Sequence, residues 1–199
     1  RQTLADFCHD VRIPEQLTAD LASEQTGPNT DFMNTVRNHG IKMHWAEKGR
    51  HNQNHHAERE IGILKERWKQ RMTQKAVPKR LWDYGLVYES EILSRISRGH
   101  DGRTGYEELT GNTPEIGEWL DFEFYDLVWC HFQSDGGIGQ EVQRLGPWLG
   151  ISHRVGSDMC YWILLNSGKV ISSTMVQHLI RENMDEPDTK SKIDTFNQE

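Results

Sequence analysis

The stretch HNQNHHAEREIGILKERWKQRM, residues 51–72, gathers the residue types that could do chemistry. His51 and His55 are four apart, and His55, His56 and Glu58 lie close in sequence, but no HExxH pattern or cysteine pairing accompanies them. The histidines alone therefore fit surface or helix-entry positions as well as a metal. Glu58 is more informative. Gly62, Lys65 and Lys69 follow it by four, seven and eleven residues and project on nearly the same helical face. A carboxylate at a helix start, with two lysines in line and a glycine that permits close approach, can bind a divalent cation while holding a phosphate backbone. The same spacing also suits a solvated face of alternating charge. A second carboxylate would favour the metal reading, and Asp20, at the end of a short strand-like run with Glu24 four residues on, is the candidate. A turn-forming role for Asp20 stays open.

The elements that must position these groups follow from patterning. Residues 2–10 predict a short helix with Leu4, Phe7 and Cys8 inward, and Gln16 to Asp20 a strand. TDFMNTVRNHG predicts a helix with Phe32, Met33 and Val36 apolar and Gly40 past its end, and IKMHW alternates as a strand. Ala57, Ile61, Leu64, Trp68 and Met72 repeat at steps of three and four, a helical stripe separate from the Glu58 face. A second helix opens at Pro78, is closed by Gly99, and offers Trp82, Leu86, Ile92 and Ile96 to the first. Thr104 and Glu107 have capping-box spacing before a short helix ended by Gly111. From Phe122 the runs FYDLVWCHF, WLGISHRV, MCYWILL and KVISSTMVQHL read as strands of a small antiparallel barrel or sandwich. Their tryptophans and tyrosines fit a core, so this part could simply pack on the rest of the protein or on another protomer.

Composition bounds what such a chain can be. Its 199 residues, 35% hydrophobic, can build one large domain or two small ones, and no apolar run is long enough to span a membrane. Cys8, Cys130 and Cys160 are isolated and odd in number, which fits small core residues in a reducing compartment better than a disulfide framework. The net charge of -7 excludes a protein basic all over. The segment Lys42 to Arg80 nevertheless carries eleven basic residues against four acidic ones, a local net of +7.

Taken in order, the segments resemble the integrase of copia-type LTR retrotransposons, particularly copia-like elements of diatoms and other algae. IPEQLTAD is similar to the strand delivering the family's second catalytic aspartate, NHGIK to its glycine-isoleucine step, and NQNHHAERE to the entry of the helix carrying the catalytic glutamate. VPKRLWDYGLVYESEILSRI, GRTGYEELTGNTPEI, FEFYDLVW and LGPWLGISHRVGSDMCYWILLNSGKVISSTMVQHL follow the family's later order. The resemblance implies an α/β fold: a partial RNase H-like integrase core over 1–75, a helical extension over 76–118, a β-rich domain over 119–181, and an acidic disordered tail or linker over 182–199. It makes Asp20 and Glu58 the catalytic, metal-binding carboxylates, with 37 residues between them. Lys65 and Lys69, with Arg59, Arg67 and Lys42, would contact the DNA backbone.

In the intact family, Mg²⁺ or Mn²⁺ held by three carboxylates supports 3′-end processing and strand transfer, stabilising attacking and leaving oxygens. Expected partners are retroelement ends, target DNA and an integrase homo-oligomer, with no membrane; the expected locations are the nucleus and cytoplasmic particles. Glu24 matches the acidic position of the family's DNGxEF loop, but Leu21, Ala22 and Gln25 depart from it. With only 19 residues ahead of Asp20, the sequence does not present the first catalytic aspartate, and Asp6 and Asp10 lie in the predicted first helix. The reading is therefore an integrase fragment or degenerate copy, with weak or absent metal binding and no strand transfer of its own. The alternative is a non-catalytic nucleic-acid-binding or assembly module.

Overall fold

The computed structural model describes residues 4–19, 27–46, 55–133, 141–153 and 159–197. The chain divides into two compact units, one formed by 1–64 with 108–111 and the other by 65–107 with 112–199. The architecture is mixed α/β. Among the described residues no helix is long and apolar enough to cross a membrane.

In the first unit, helix α1 (Leu4–Asp10) precedes strand β1 (Gln16–Ala19), helix α2 (Asp31–Asn38) and strand β2 (Lys42–Trp45). The two strands pair in parallel, Gln16 with Lys42 through Ala19 with Trp45, so α2 is the crossover that a parallel pair requires. Local chemistry sets both ends of α2. The Thr30 hydroxyl accepts the Met33 N–H at 3.2 Å. At the other end Gly40, at φ +65°, donates to Arg37 O and Ile41 donates to Val36 O, a Schellman closure that brings Ile41 onto Val36. Cys8, Val36 and Ile41 are buried together, with Leu4, Leu17, Phe32 and Met43 packed against them. Phe7, expected inward, is 44% exposed, because Leu4 and Cys8 supply the inner face of so short a helix.

Helix α3 (His55–Lys75) spans the division between the units, and its single buried residue is Trp68. In the second unit a 3₁₀ turn (Lys79–Leu81) leads into α4 (Trp82–Ile96); α5 (Gly105–Thr110) follows, its residues from Glu108 assigned to the first unit, and then α6 (Gly117–Leu120). The expected capping box forms at α5: Glu107 N–H donates to the Thr104 hydroxyl at 3.2 Å and Thr104 N–H to the Glu107 carboxylate at 2.8 Å. Helix α4 departs from expectation. It ends at Ser97 rather than Gly99, and Trp82 and Ile96 are exposed. Its inner line is Leu81, Gly85, Tyr88 and Ile92, about one residue's rotation of 100° away from Trp82. Gly85 is where Trp68 lies flat on the helix; a Cβ there would meet the indole at 2.1 Å.

Five strands, β3 (Leu127–Gln133), β4 (Glu141–Ile151), β5 (Tyr161–Leu164), β6 (Val170–Ser173) and β7 (Val176–His178), form one antiparallel sheet in the order β6-β5-β4-β3-β7. The long β4 pairs with β3 through Pro147 and with β5 from Trp148 onward, with a register shift before Ile151. Gly150, at φ +115°, lies inside that shift. KVISSTMVQHL, read as one strand, is two: β6 and β7 are opposite edges of the sheet joined only by Thr174 and Met175. The sheet therefore curls on itself, and the Ser173 hydroxyl donates to Met175 O at 3.2 Å across the bend. Among the described residues no ladder joins β6 to β7, so the result is a coiled sheet rather than the closed barrel or sandwich expected.

The core of this unit is aromatic. Trp148, 0% exposed, meets Tyr88 edge-on with centroids 5.6 Å apart, and Phe124 meets Trp68 edge-on at 5.2 Å. Cys130 and Cys160 are buried, and burial pushes the Cys130 thiol up to about 11, in keeping with a packing role. The acidic end, expected to be disordered, is helical in α7 (Arg181–Met184) and α8 (Pro187–Asn197). Pro187 suits a first helical position, and Ile193 packs against the buried cluster of Trp129, Leu145 and Leu179, which gives the segment apolar contacts its composition did not advertise.

Candidate nucleic-acid interface

Helix α3 carries the candidate face. At about 100° per residue, Glu58, Gly62, Lys65 and Lys69 fall within about 60° of one another. Glu58 occupies the first turn, where the helix dipole favours an anion. All four residues are exposed, whereas Leu64, Arg67, Trp68, Arg71 and Lys75 are buried or half-buried on other sides of the helix and the half-buried Met72 borders the face, about 20° from Lys65. Of the expected apolar stripe, Leu64, Trp68 and Met72 are buried or half-buried, while Ala57 and Ile61 are exposed, so the stripe packs only along the later part of the helix. A Cβ added at Gly62 meets nothing within 4 Å, so packing among the described residues does not demand this glycine. Gly62→Ala is expected to raise stability by about 1 kcal/mol in thermal unfolding, through helix propensity alone.

The remaining predicted contacts distribute differently. Arg59 is exposed but about 100° round the helix from Glu58. Lys42 is exposed on β2, on the strand face opposite Met43. Arg67 lies nearly opposite Lys65 and Lys69 on α3, and its Nε donates to Glu89 Oε2 at 3.3 Å. It is therefore occupied by a structural ion pair rather than gathered into the Glu58 face. Asp20 and Glu24 lie outside the described residues, as does His51; β1 ends at Ala19. His55 and His56 are exposed with ring centroids 4.0 Å apart. Among the described residues no group of three histidine, cysteine, aspartate or glutamate side chains is placed to hold a metal ion.

Three polar arrangements escaped the sequence reading. Glu89, 1% exposed on α4, accepts from both Arg67 and Arg71, and the Arg71 guanidinium also sits 5.1 Å over the Tyr88 ring. Burial acts to lower the Arg71 pKa, but the Glu89 hydrogen bond and charge outweigh it and hold the guanidinium above its ordinary value. The signal available was a pair of arginines four apart bordering an apolar stripe, which needs a carboxylate wherever the stripe is buried. Further along α4, Glu91 bonds His153 Nε2 at 2.7 Å and accepts the Trp119 indole N–H at 3.3 Å, while Arg95 stacks 3.9 Å over Trp119. At the far end of α3, Lys75 donates to Asp126 at 2.8 Å and pairs with Glu123 at 2.7 Å, and its hydrogen bond holds the Glu123 carboxyl below its usual range.

No protein-family profile matches the sequence, and no curated protein matches it. Among solved structures, the chain is similar to a chain of the cryo-EM structure of the simian T-cell lymphotropic virus intasome in complex with PP2A regulatory subunit B56 gamma, at 12% identity and a TM-score of 0.42. The match covers 89% of this chain and 64% of that one.

Proposed function

We propose that this chain is an integrase-type segment that holds a DNA backbone along α3, with Lys65 and Lys69 as the principal phosphate contacts, and that Arg59, and Lys42 on β2 of the first unit, each contact phosphate as well. The observation that carries the reading is the exposure of Glu58, Gly62, Lys65 and Lys69 along one side of α3. Lysine ammonium groups bind phosphate as point charges without reading bases, which suits an enzyme that must engage many sequences. The β1-α2-β2 unit and the order of the copia-like segments support an RNase H-like origin for the first part of the chain. Glu58, with Asp20, is the proposed carboxylate pair for Mg²⁺ or Mn²⁺, which when bound would stabilise charge on the attacking and leaving oxygens.

The test is filter binding to duplex DNA across a salt series. Lys65→Ala and Lys69→Ala are each expected to weaken binding on all sequences alike and to lower the salt slope by about 1. Unchanged affinity in both variants would overturn the assignment. Gly62→Ala, stabilising for the helix, is expected to weaken the same binding by holding the backbone away from the phosphates. A non-catalytic binding module is the second reading, favoured by Leu21, Ala22 and Gln25 in the active-site loop. It retains the lysine effects but gives no change with Glu58→Gln in the presence of Mg²⁺.

A further inference from the structure

We infer that Trp82, flanked by Lys79 and Arg80, is a stacking platform for an unpaired base of single-stranded nucleic acid. The chain has seven tryptophans, all among the described residues, and six of them are buried or half-buried. Trp82 is 58% exposed. Its position is fixed rather than frayed. Leu81, 4% exposed, anchors the 3₁₀ turn in the aromatic core, and the Trp82 N–H donates to Lys79 O. Pro78, at φ -58°, sets the entry to the turn.

In a 3₁₀ turn residues three apart eclipse, so Lys79 and Trp82 leave the backbone on the same side of the turn, both exposed. Arg80 is exposed on the next side, and the local acidic residue is Asp83, one position round α4 from Trp82. A single strand presents both matching groups together: a base whose π-face stacks on the indole and a phosphate for the adjacent ammonium or guanidinium. A duplex hides the first of these. The inference adds a ligand class to the nucleic-acid reading of α3 but rests on a different set of residues.

Binding of fluorescein-labelled single-stranded and duplex oligonucleotides to the full chain, followed by anisotropy, tests it. Trp82→Ala is expected to lose about tenfold in single-strand affinity with duplex affinity and salt slope unchanged, and Trp82→Phe to retain most of it. Lys79→Gln and Arg80→Gln should each lower the single-strand salt slope by about 0.7. Full single-strand affinity in Trp82→Ala overturns the inference. So does a shift from dimer to monomer in that variant with affinity intact, which would make Trp82 an interface between copies of the chain. If Lys65→Ala and Lys69→Ala leave duplex binding unchanged while the Trp82 variants respond, the α3 reading falls and this one stands; the reverse pattern rejects this one alone. Absence of all binding rejects both.

Discussion

Arg71→Met is expected to destabilise the second unit by about 3 kcal/mol, a large part of the 5–15 kcal/mol that typically holds a domain together. The cost does not come from the strength of the pair. A charge taken out of water and then deprived of its partner keeps its desolvation penalty with nothing to offset it. Glu89 is 1% exposed, and without Arg71 it would rely on Arg67 at 3.3 Å, whose own side chain is 40% exposed. The double variant Arg71→Met with Glu89→Leu is expected to recover most of the loss, because exchanging a whole buried pair for packed apolar groups is often neutral or better. Urea unfolding followed by tryptophan fluorescence measures both. If the double variant is as unstable as the single one, the desolvation account is wrong and the arginine matters through its packing on Tyr88.

Gly146→Ala is expected to cost about 3 kcal/mol or more, at or beyond the upper end of ordinary overpacking. The added Cβ would stand 2.1 Å from the carbonyl oxygen of Leu164 and 3.0 Å from the Ile163 side chain. A clash with a flexible side-chain tip is relieved by rotation. This one is with backbone on β5, and relieving it means parting β5 from β4 or from β6. The same substitution at Gly62, where the surroundings are open, is expected to have the opposite sign. Thermal unfolding of the two variants side by side checks the contrast, and equal shifts would show that helix and strand propensity, not the Leu164 carbonyl, set the response.

These two sites mark where the sequence stops being legible. What depends on neighbours a few residues apart could be read directly: the Thr104–Glu107 capping box, the closure at Gly40, and the alignment of Glu58, Gly62, Lys65 and Lys69 on α3. What depends on distant partners could not. Trp82 looked like core because its spacing from Leu86 is helical, yet the inner line of α4 was decided by which residues the sheet and Trp68 received. Glu89 carries no local signal of burial, because its partners Arg67 and Arg71 lie some twenty residues earlier. The α8 segment read as a tail because its composition is polar, and Ile193 alone could not reveal that a buried tryptophan cluster lay within reach. For the candidate site, the α3 contribution was legible as periodicity, and the carboxylate expected at Asp20 lies outside the described residues.

The split of KVISSTMVQHL into β6 and β7 bears on the order in which the sheet can assemble. Three of its four ladders join strands adjacent in sequence, so each can form as a local hairpin. The fourth pairs Val128 with His178, fifty residues apart. A contact of that span loses loop entropy before it gains anything, and the gain exists only when β3 is already held by β4. The chain thus comes back to its starting strand only after β4, β5 and β6 are in place. A link of two residues, Thr174 and Met175, turns a growing ribbon into a folded domain.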